Sequence, residues 1–283
     1  MADYPKGAVS HSQISSYVRC SKQFELERIS KYPAPPTWYF IGGNAVHAAT
    51  EFLDKHWGQN IGDVTPENIV DAWTAEFNRE IDDAFLAWPA DDEWLKFGRR
   101  GSEQGYAYWF AHGLAGVEAY IVWRQAHPEL VLISIEERFD IELGGAGPRD
   151  SIILTGRIDR VFRDPQGLIV VDLKSGTRRP TSALQLGMYA LGYNRSHEAL
   201  EGASVARGGY LMTKDGELYL QDLTPFTPEL IHGMVVAYLE GVEHDVFLPN
   251  IGNTCFSCPM SRACAAYSGR TPEAIQYDSL LRS

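Results

Sequence analysis

The chain has 283 residues, 45% hydrophobic and 22% charged. That composition excludes a disordered chain, a collagen-like repeat and a coiled coil, and the length suffices for a sizeable core without disulfide staples. Acidic residues outnumber basic ones by 37 to 25, a net charge of −12, which argues against a nucleic-acid coat protein but not against an enzyme with a local basic channel.

No apolar run approaches the ~18 residues of a membrane span. Met1-Ala2-Asp3-Tyr4-Pro5-Lys6 lacks an apolar signal core. The expectation is a soluble cytoplasmic protein with no membrane contact. Ser12 to Cys20 reads as a short helix capped by Ser10 or Ser12. Pro33-Ala34-Pro35-Pro36 is a break, and Gly42-Gly43-Asn44-Ala45-Val46-His47 opens a helix running towards Trp57. Thr65-Pro66-Glu67 is a helix start, with Thr at the cap, Pro at the first position and Glu at the positive dipole end. The same tripeptide recurs at Thr227 and Thr271 as independent caps. Residues 66 to about 125 read as helical, with aromatic residues at core spacing. Asp82-Asp83 and Asp91-Asp92-Glu93 place acid on a solvent face of this stretch.

From Val131 the pattern changes to strands. Val131–Ile135 and Phe139–Leu143 are followed by a Gly-rich turn at 144–147. Ile152–Val161 and Leu168–Lys174 flank a turn at Arg163-Asp164-Pro165-Gln166-Gly167. A helix from Ser182 to Asn194, short strands at Gly209–Met212 and Glu217–Leu220, and a helix over about 228–242 complete the order. The expected regions are N-terminal helices (1–60), a helical stretch (61–130), an α/β core (131–222) and a C-terminal helix with a cysteine loop (223–283).

The cysteines are Cys20, Cys255, Cys258 and Cys264. In a cytoplasmic chain a metal site is expected rather than disulfides. Four thiolates suit structural zinc or an iron–sulfur cluster, and spacing alone does not choose between them. Either would clasp the two ends of the chain together.

Asp159 and Asp172 fall on two strands joined by a short turn, and Lys174 projects to the same side as Asp172. Two carboxylates about 4 Å apart repel by roughly 4 kcal/mol at an effective dielectric of 20. A buried pair therefore needs a cation or a shared proton. Two acids and a lysine at a strand end are what metal-assisted phosphodiester hydrolysis requires: acids to hold Mg²⁺ or Mn²⁺, a lysine to orient water or stabilise developing charge. Gln185 and Tyr189 share one face of the following helix, although Ser182-x-x-Gln185 is also a capping box that would explain Gln185 without chemistry. Basic residues gather at Arg99-Arg100, at Arg157, Arg160 and Arg163, and at Arg178-Arg179, where the last pair could hold phosphates.

Gly156-Arg157-Ile158-Asp159-Arg160, Asp172-Leu173-Lys174-Ser175-Gly176 and Gln185-x3-Tyr189 together resemble the RecB-type nuclease signature of the PD-(D/E)XK superfamily. Gly43-Asn44-Ala45-Val46-His47 and the Ser-x-Ile-x-x-Tyr-x-x-Cys stretch fit it as well. The split of the cysteines resembles the iron–sulfur branch, which includes CRISPR-associated and phage RecB-like exonucleases. The resemblance runs from about Ser10 to Cys264 and leaves 60–130 without a motif. It implies a restriction-endonuclease-like mixed sheet flanked by helices, with an inserted helical region and a C-terminal iron–sulfur clasp. It makes His47, Asp159, Asp172 and the carbonyl of Leu173 ligands of Mg²⁺ or Mn²⁺, and Lys174 the residue that positions water. Gln185 and Tyr189 would buttress the site or touch the DNA backbone, and Glu136 matches a further acid on the preceding strand. Cys20, Cys255, Cys258 and Cys264 would bind a [4Fe–4S] cluster.

The expected function is a divalent-metal-dependent DNA exonuclease working from single-stranded ends, 5′→3′, in recombination or end processing, with partner proteins of recombination or CRISPR adaptation. The alternatives are a non-catalytic DNA-binding or adaptor subunit, and the same nuclease with zinc in place of the cluster.

Overall fold

The computed structural model describes residues 8–96, 104–144, 152–198 and 204–268. Arg99-Arg100, most of the 144–147 turn and the Thr271 cap lie outside them. In chain order the elements are β1 (Ala8–Val9), α1 (His11–Arg19), α2 (Ser21–Phe24), α3 (Trp38–Trp57), α4 (Pro66–Ala87) and α5 (Tyr106–Ala126). Then come β2 (Val131–Leu143), β3 (Ile152–Asp164), β4 (Gly167–Lys174), α6 (Leu184–Ser196), β5 (Val205–Met212), β6 (Glu217–Asp222), α7 (Pro228–Glu243) and α8 (Ala265–Ser268). Among the described residues no helix is long and apolar enough to cross a membrane.

The caps explain most helix starts. The Ser10 N–H donates to Gln13 Oε1 at 2.7 Å, and the Thr65 and Thr227 hydroxyls accept from Asn68 and Leu230 ahead of the prolines at N1. α3 begins at Trp38, four residues before the expected Gly42, because the Thr37 hydroxyl accepts from Phe40 N. Gly42 lies inside this helix and serves close packing: a Cβ there would sit 2.3 Å from the Trp109 ring of α5. Among the described residues the expected long helical stretch holds two helices, the first ending at its C-cap Trp88. The two short strands expected at Val131 and Phe139 are one thirteen-residue strand.

The sheet is mixed. β3 pairs antiparallel with β2 along one edge. On its other edge β1 pairs parallel at Ile153–Leu154, and β4 pairs antiparallel from Arg160 to Asp164. β5 then joins β4 in parallel, and β6 closes the edge antiparallel to β5. Between the β1 and β4 ladders one edge of β3 is open, and that fork receives the acids described below. Alternate residues of the buried strands feed two cores. Ile158, Val161, Val170 and Tyr210 pack with α6 and α7. Phe162, Ile169, Val171 and Leu211 pack with α3, α4 and α5.

A buried ionic knot fastens α3 to the sheet. Asp54 of α3 is fully buried between Arg124 and Tyr120 of α5 and Arg160 of β3, whose Nε lies 2.6 Å from Asp54 Oδ2. Arg160, counted from sequence among the basic clusters, is therefore a buried structural residue. Removing one partner of a buried pair strands the other charges and costs about 3–5 kcal/mol. Asp54→Ala is expected to lose that much in urea unfolding, read as a lower transition midpoint.

Candidate active site

The ladder between β3 and β4 stops at Arg160–Val171. One step further on, Asp159 and Asp172 stand across from each other. The β2–β3 pairs Ile135–Arg160 and Glu137–Ile158 bracket Glu136 and set it opposite Asp159. Three acids thus lie side by side on three neighbouring strands. Glu136 has a left-handed backbone, φ 51°, a conformation a non-glycine residue adopts at a cost and which turns it out of the regular ladder.

His47 arrives from α3, its Nδ1 3.4 Å from Asp159 Oδ2. The same carboxylate oxygen accepts the Leu173 N–H at 2.8 Å, in the gap where the strand ladder has ended. Ligand atoms of His47, Glu136 and Asp159 all lie within 4.8 Å of one another. One imidazole and two carboxylates at that spacing fit a hard divalent ion such as Mg²⁺ or Mn²⁺. Asp172 stands beside this trio, its Oδ2 held by Lys174 Nζ at 2.6 Å. Lys174 Nζ also donates to Gln185 Oε1 at 3.1 Å, and Gln185 Nε2 lies 2.9 Å from the Tyr189 hydroxyl. The capping-box explanation of Gln185 fails: the Ser182 hydroxyl accepts from Leu184 N, and the Gln185 side chain is engaged with Lys174 and Tyr189.

The electrostatics follow from burial. Desolvation, with Asp159 adding repulsion, pushes the Asp172 carboxyl up to about 6. Burial also raises Asp159, against the pull of the Leu173 N–H and Lys174, and it raises Glu136 with help from Asp159. Burial lowers His47 although Asp172 and Glu136 pull the other way, so its imidazole is neutral near pH 7, the form that binds metal. Burial works against the Lys174 ammonium, but Asp172 outweighs it and the net shift is upward. Lys174 is therefore a cation that donates, not a base that accepts.

The surroundings include two histidines with no sequence signal and three arginines of the basic clusters. His11, the first residue of α1, lies near enough to Lys174 that burial and that ammonium together take its ring down to about 4. His112 of α5 contacts the Ser175 carbonyl at 3.0 Å, directly after Lys174. Arg157 reaches Glu136 at 2.8 Å. Arg178 and Arg179 are exposed in the loop after β4, and the Arg179 guanidinium lies 4.5 Å from the Tyr219 ring centre.

The cysteines form a second locus. Cys20, Cys255, Cys258 and Cys264 line one small cavity with Asn250 and Met260. Burial raises the Cys258 thiol, and the other three sulfurs raise it further, so all four stand within electrostatic reach. The chain ends are also tied by hydrogen bonds: the Tyr17 hydroxyl to the Val246 carbonyl at 2.7 Å, Leu248 N to the Ser21 hydroxyl at 2.7 Å, and Asn250 Nδ2 to the Arg19 carbonyl at 2.9 Å.

A raised carboxylate makes stability fall as pH rises. Asp172 titrates near 3.8 when unfolded and about 6 when folded, so ionising it costs stability between those values. A divalent ion should return that loss. Added Mn²⁺ is expected to raise the melting temperature more at pH 7.5 than at pH 5. Asp159→Asn removes a buried carboxylate and its repulsion of Asp172, and is expected to raise the ion-free melting temperature at pH 7.5 and to abolish the Mn²⁺ shift; scanning calorimetry reads both.

No curated protein matches the chain. The family model of the PD-(D/E)XK nuclease superfamily matches residues 8–265, across the fork, its acids, Lys174 and the cysteines, and the chain belongs to that superfamily of metal-dependent nucleases.

Proposed function

We propose that this protein is a divalent-metal-dependent DNA exonuclease that works from single-stranded ends, 5′→3′, in recombination or end processing. The observation that carries the catalytic reading is the fork itself, where His47, Glu136 and Asp159 converge next to the Asp172–Lys174 pair. Mg²⁺ or Mn²⁺ held there supplies Lewis acidity towards a phosphate oxygen and acidifies a water. His47, Asp159, Asp172 and the Leu173 carbonyl would hold the ion, and Glu136 joins them on the strength of its distance to the other two side chains.

Lys174 has the role of donor. Its ammonium stays charged, and Gln185 and Tyr189 hold it in place from α6. A fixed cation beside the acids can orient a water and offset the charge that gathers on the phosphate. Arg178 and Arg179 place further positive charge on the loop leaving the site, suited to phosphates flanking the cut. The end preference and polarity rest on the likeness to RecB-type exonucleases.

We assign the cysteine cavity to a [4Fe–4S] cluster that clasps the chain ends. The common cavity supports it, and the reading otherwise rests on the resemblance of the cysteine split to the iron–sulfur branch. Broad visible absorbance with about four irons per chain would bear the cluster out; a colourless protein with one zinc would replace it.

The test of activity is cleavage of end-labelled single-stranded DNA with Mn²⁺. Stepwise shortening from one labelled end is expected. Asp159→Ala should abolish it, and Lys174→Ala should lower the turnover about 100- to 1,000-fold while DNA binding persists. No cleavage by cluster-loaded protein would leave a DNA-binding adaptor. Binding should weaken steeply with salt, since phosphate contacts release counterions.

A further inference from the structure

α3 turns His47 towards the fork. Seven residues earlier, about two turns and about 10 Å along the axis, Phe40 falls on the same helix face. Its ring is 56% exposed, and that of Tyr39 is 44% exposed. The two meet edge to face with centroids 5.5 Å apart. Tyr39 is fixed from behind. Its ring packs on Trp109 at 5.6 Å, and its hydroxyl lies 3.2 Å from where a side chain on Gly176 would begin. Gly176 is two residues beyond Lys174. The aromatic pair therefore spans from the lysine loop to the face that carries His47. It is held in place yet open to solvent, which packing of the core does not require.

The same loop carries exposed Arg178 and Arg179 and no acidic residue from Ser175 to Thr181, in a chain of net charge −12. Tyr39 lies against this basic loop, while Phe40 also lines a cleft with Glu27, Glu80 and Asp83; exposed rings that reach a local positive charge are complementary to a strand whose phosphates are anionic and whose bases offer flat apolar faces. In a duplex those faces are already stacked.

We propose that Tyr39 and Phe40 form a stacking platform for unpaired bases next to the scissile phosphate, and that this platform makes the site select single strands. The proposal rests on the nuclease reading for the position of that phosphate. Stacked bases hold the strand across α3 while Arg178 and Arg179 take the phosphates beyond it.

The test compares the parent protein with Tyr39→Ala, Phe40→Ala and Phe40→Trp. Binding of a labelled single strand is measured by fluorescence anisotropy without divalent ion, and cleavage kinetics with Mn²⁺. A blunt duplex and a single strand with abasic positions near the cut serve as controls. Each alanine is expected to weaken single-strand binding about 5- to 150-fold. KM should rise while kcat moves by less than about threefold, and Phe40→Trp should retain the parent's affinity. The abasic strand should bind the parent as weakly as the full strand binds the alanine variants, which should lose little more on it.

Unchanged single-strand affinity in variants that melt with the parent overturns the platform. So does an equal loss on duplex, or a change in oligomeric state in place of a change in DNA binding. A parent that binds the strand through its bases but cuts nothing upholds the platform and overturns the nuclease reading instead.

Discussion

Three carboxylates packed side by side at the end of a buried sheet are the constraint around which the site is arranged. Glu136, Asp159 and Asp172 occupy adjacent positions on β2, β3 and β4; burial pushes each towards its neutral form, and for Glu136 and Asp172 the charge of Asp159 adds to it. The chain supplies cations to two of them. Lys174 sits on Asp172, and Arg157 and Arg160 reach Glu136. Asp159 has a backbone N–H and a neutral imidazole as its neighbours at contact distance. Among the described residues, no lysine or arginine forms an ion pair with it. The central acid of the row is thus the one met only by the more distant pull of Lys174, Arg160 and Arg157, and the imidazole beside it is in the form that shares a metal.

That arrangement depends on α3 lying where it does. His47 can face Asp159 only if the helix is seated against β3, and the seat is the Asp54 knot about two turns further along. Asp54 takes Arg160 from the sheet and Arg124 and Tyr120 from α5. The stretch between residues 60 and 130, which carries no catalytic motif, contributes through this contact. Its helix α5 completes the knot, packs Trp109 into the gap left by Gly42, and contacts the carbonyl that follows Lys174 through His112.

Much of this was legible because strand periodicity and short motifs are local. Asp172-Leu173-Lys174 at the end of an apolar strand fixes the acid–lysine pair, and Gln185 with Tyr189 follows from helical spacing. The caps at Thr65 and Thr227 could be read for the same reason. What was not legible is long-range. Glu136 is reached from sequence only through the family resemblance, because it joins the trio through the β2–β3 register and its left-handed backbone, neither of which sequence spacing encodes. His11 meets Lys174 across a separation of more than a hundred and fifty residues. Arg160 looked like the basic residues beside it and differs only in where its side chain is buried. Gln185 had two sequence explanations, and the choice fell to which partners were nearer.

Arg160 also links scaffold and site. Its guanidinium is wholly buried and is divided between Asp54 at 2.6 Å, the Asp159 carbonyl at 2.7 Å and Glu136 at 3.4 Å. The shortest contacts go to the knot and to the backbone, so Glu136 receives the longest and weakest share. Glu136 Oε2 is already paired at 2.8 Å with the half-exposed Arg157. By fixing Arg160 on Asp54, the helical layer keeps a second, buried guanidinium from closing on the other oxygen, Oε1, and competing with an ion for it. The same residue that secures α3 thereby limits how far the charge of Glu136 is met from within the fold.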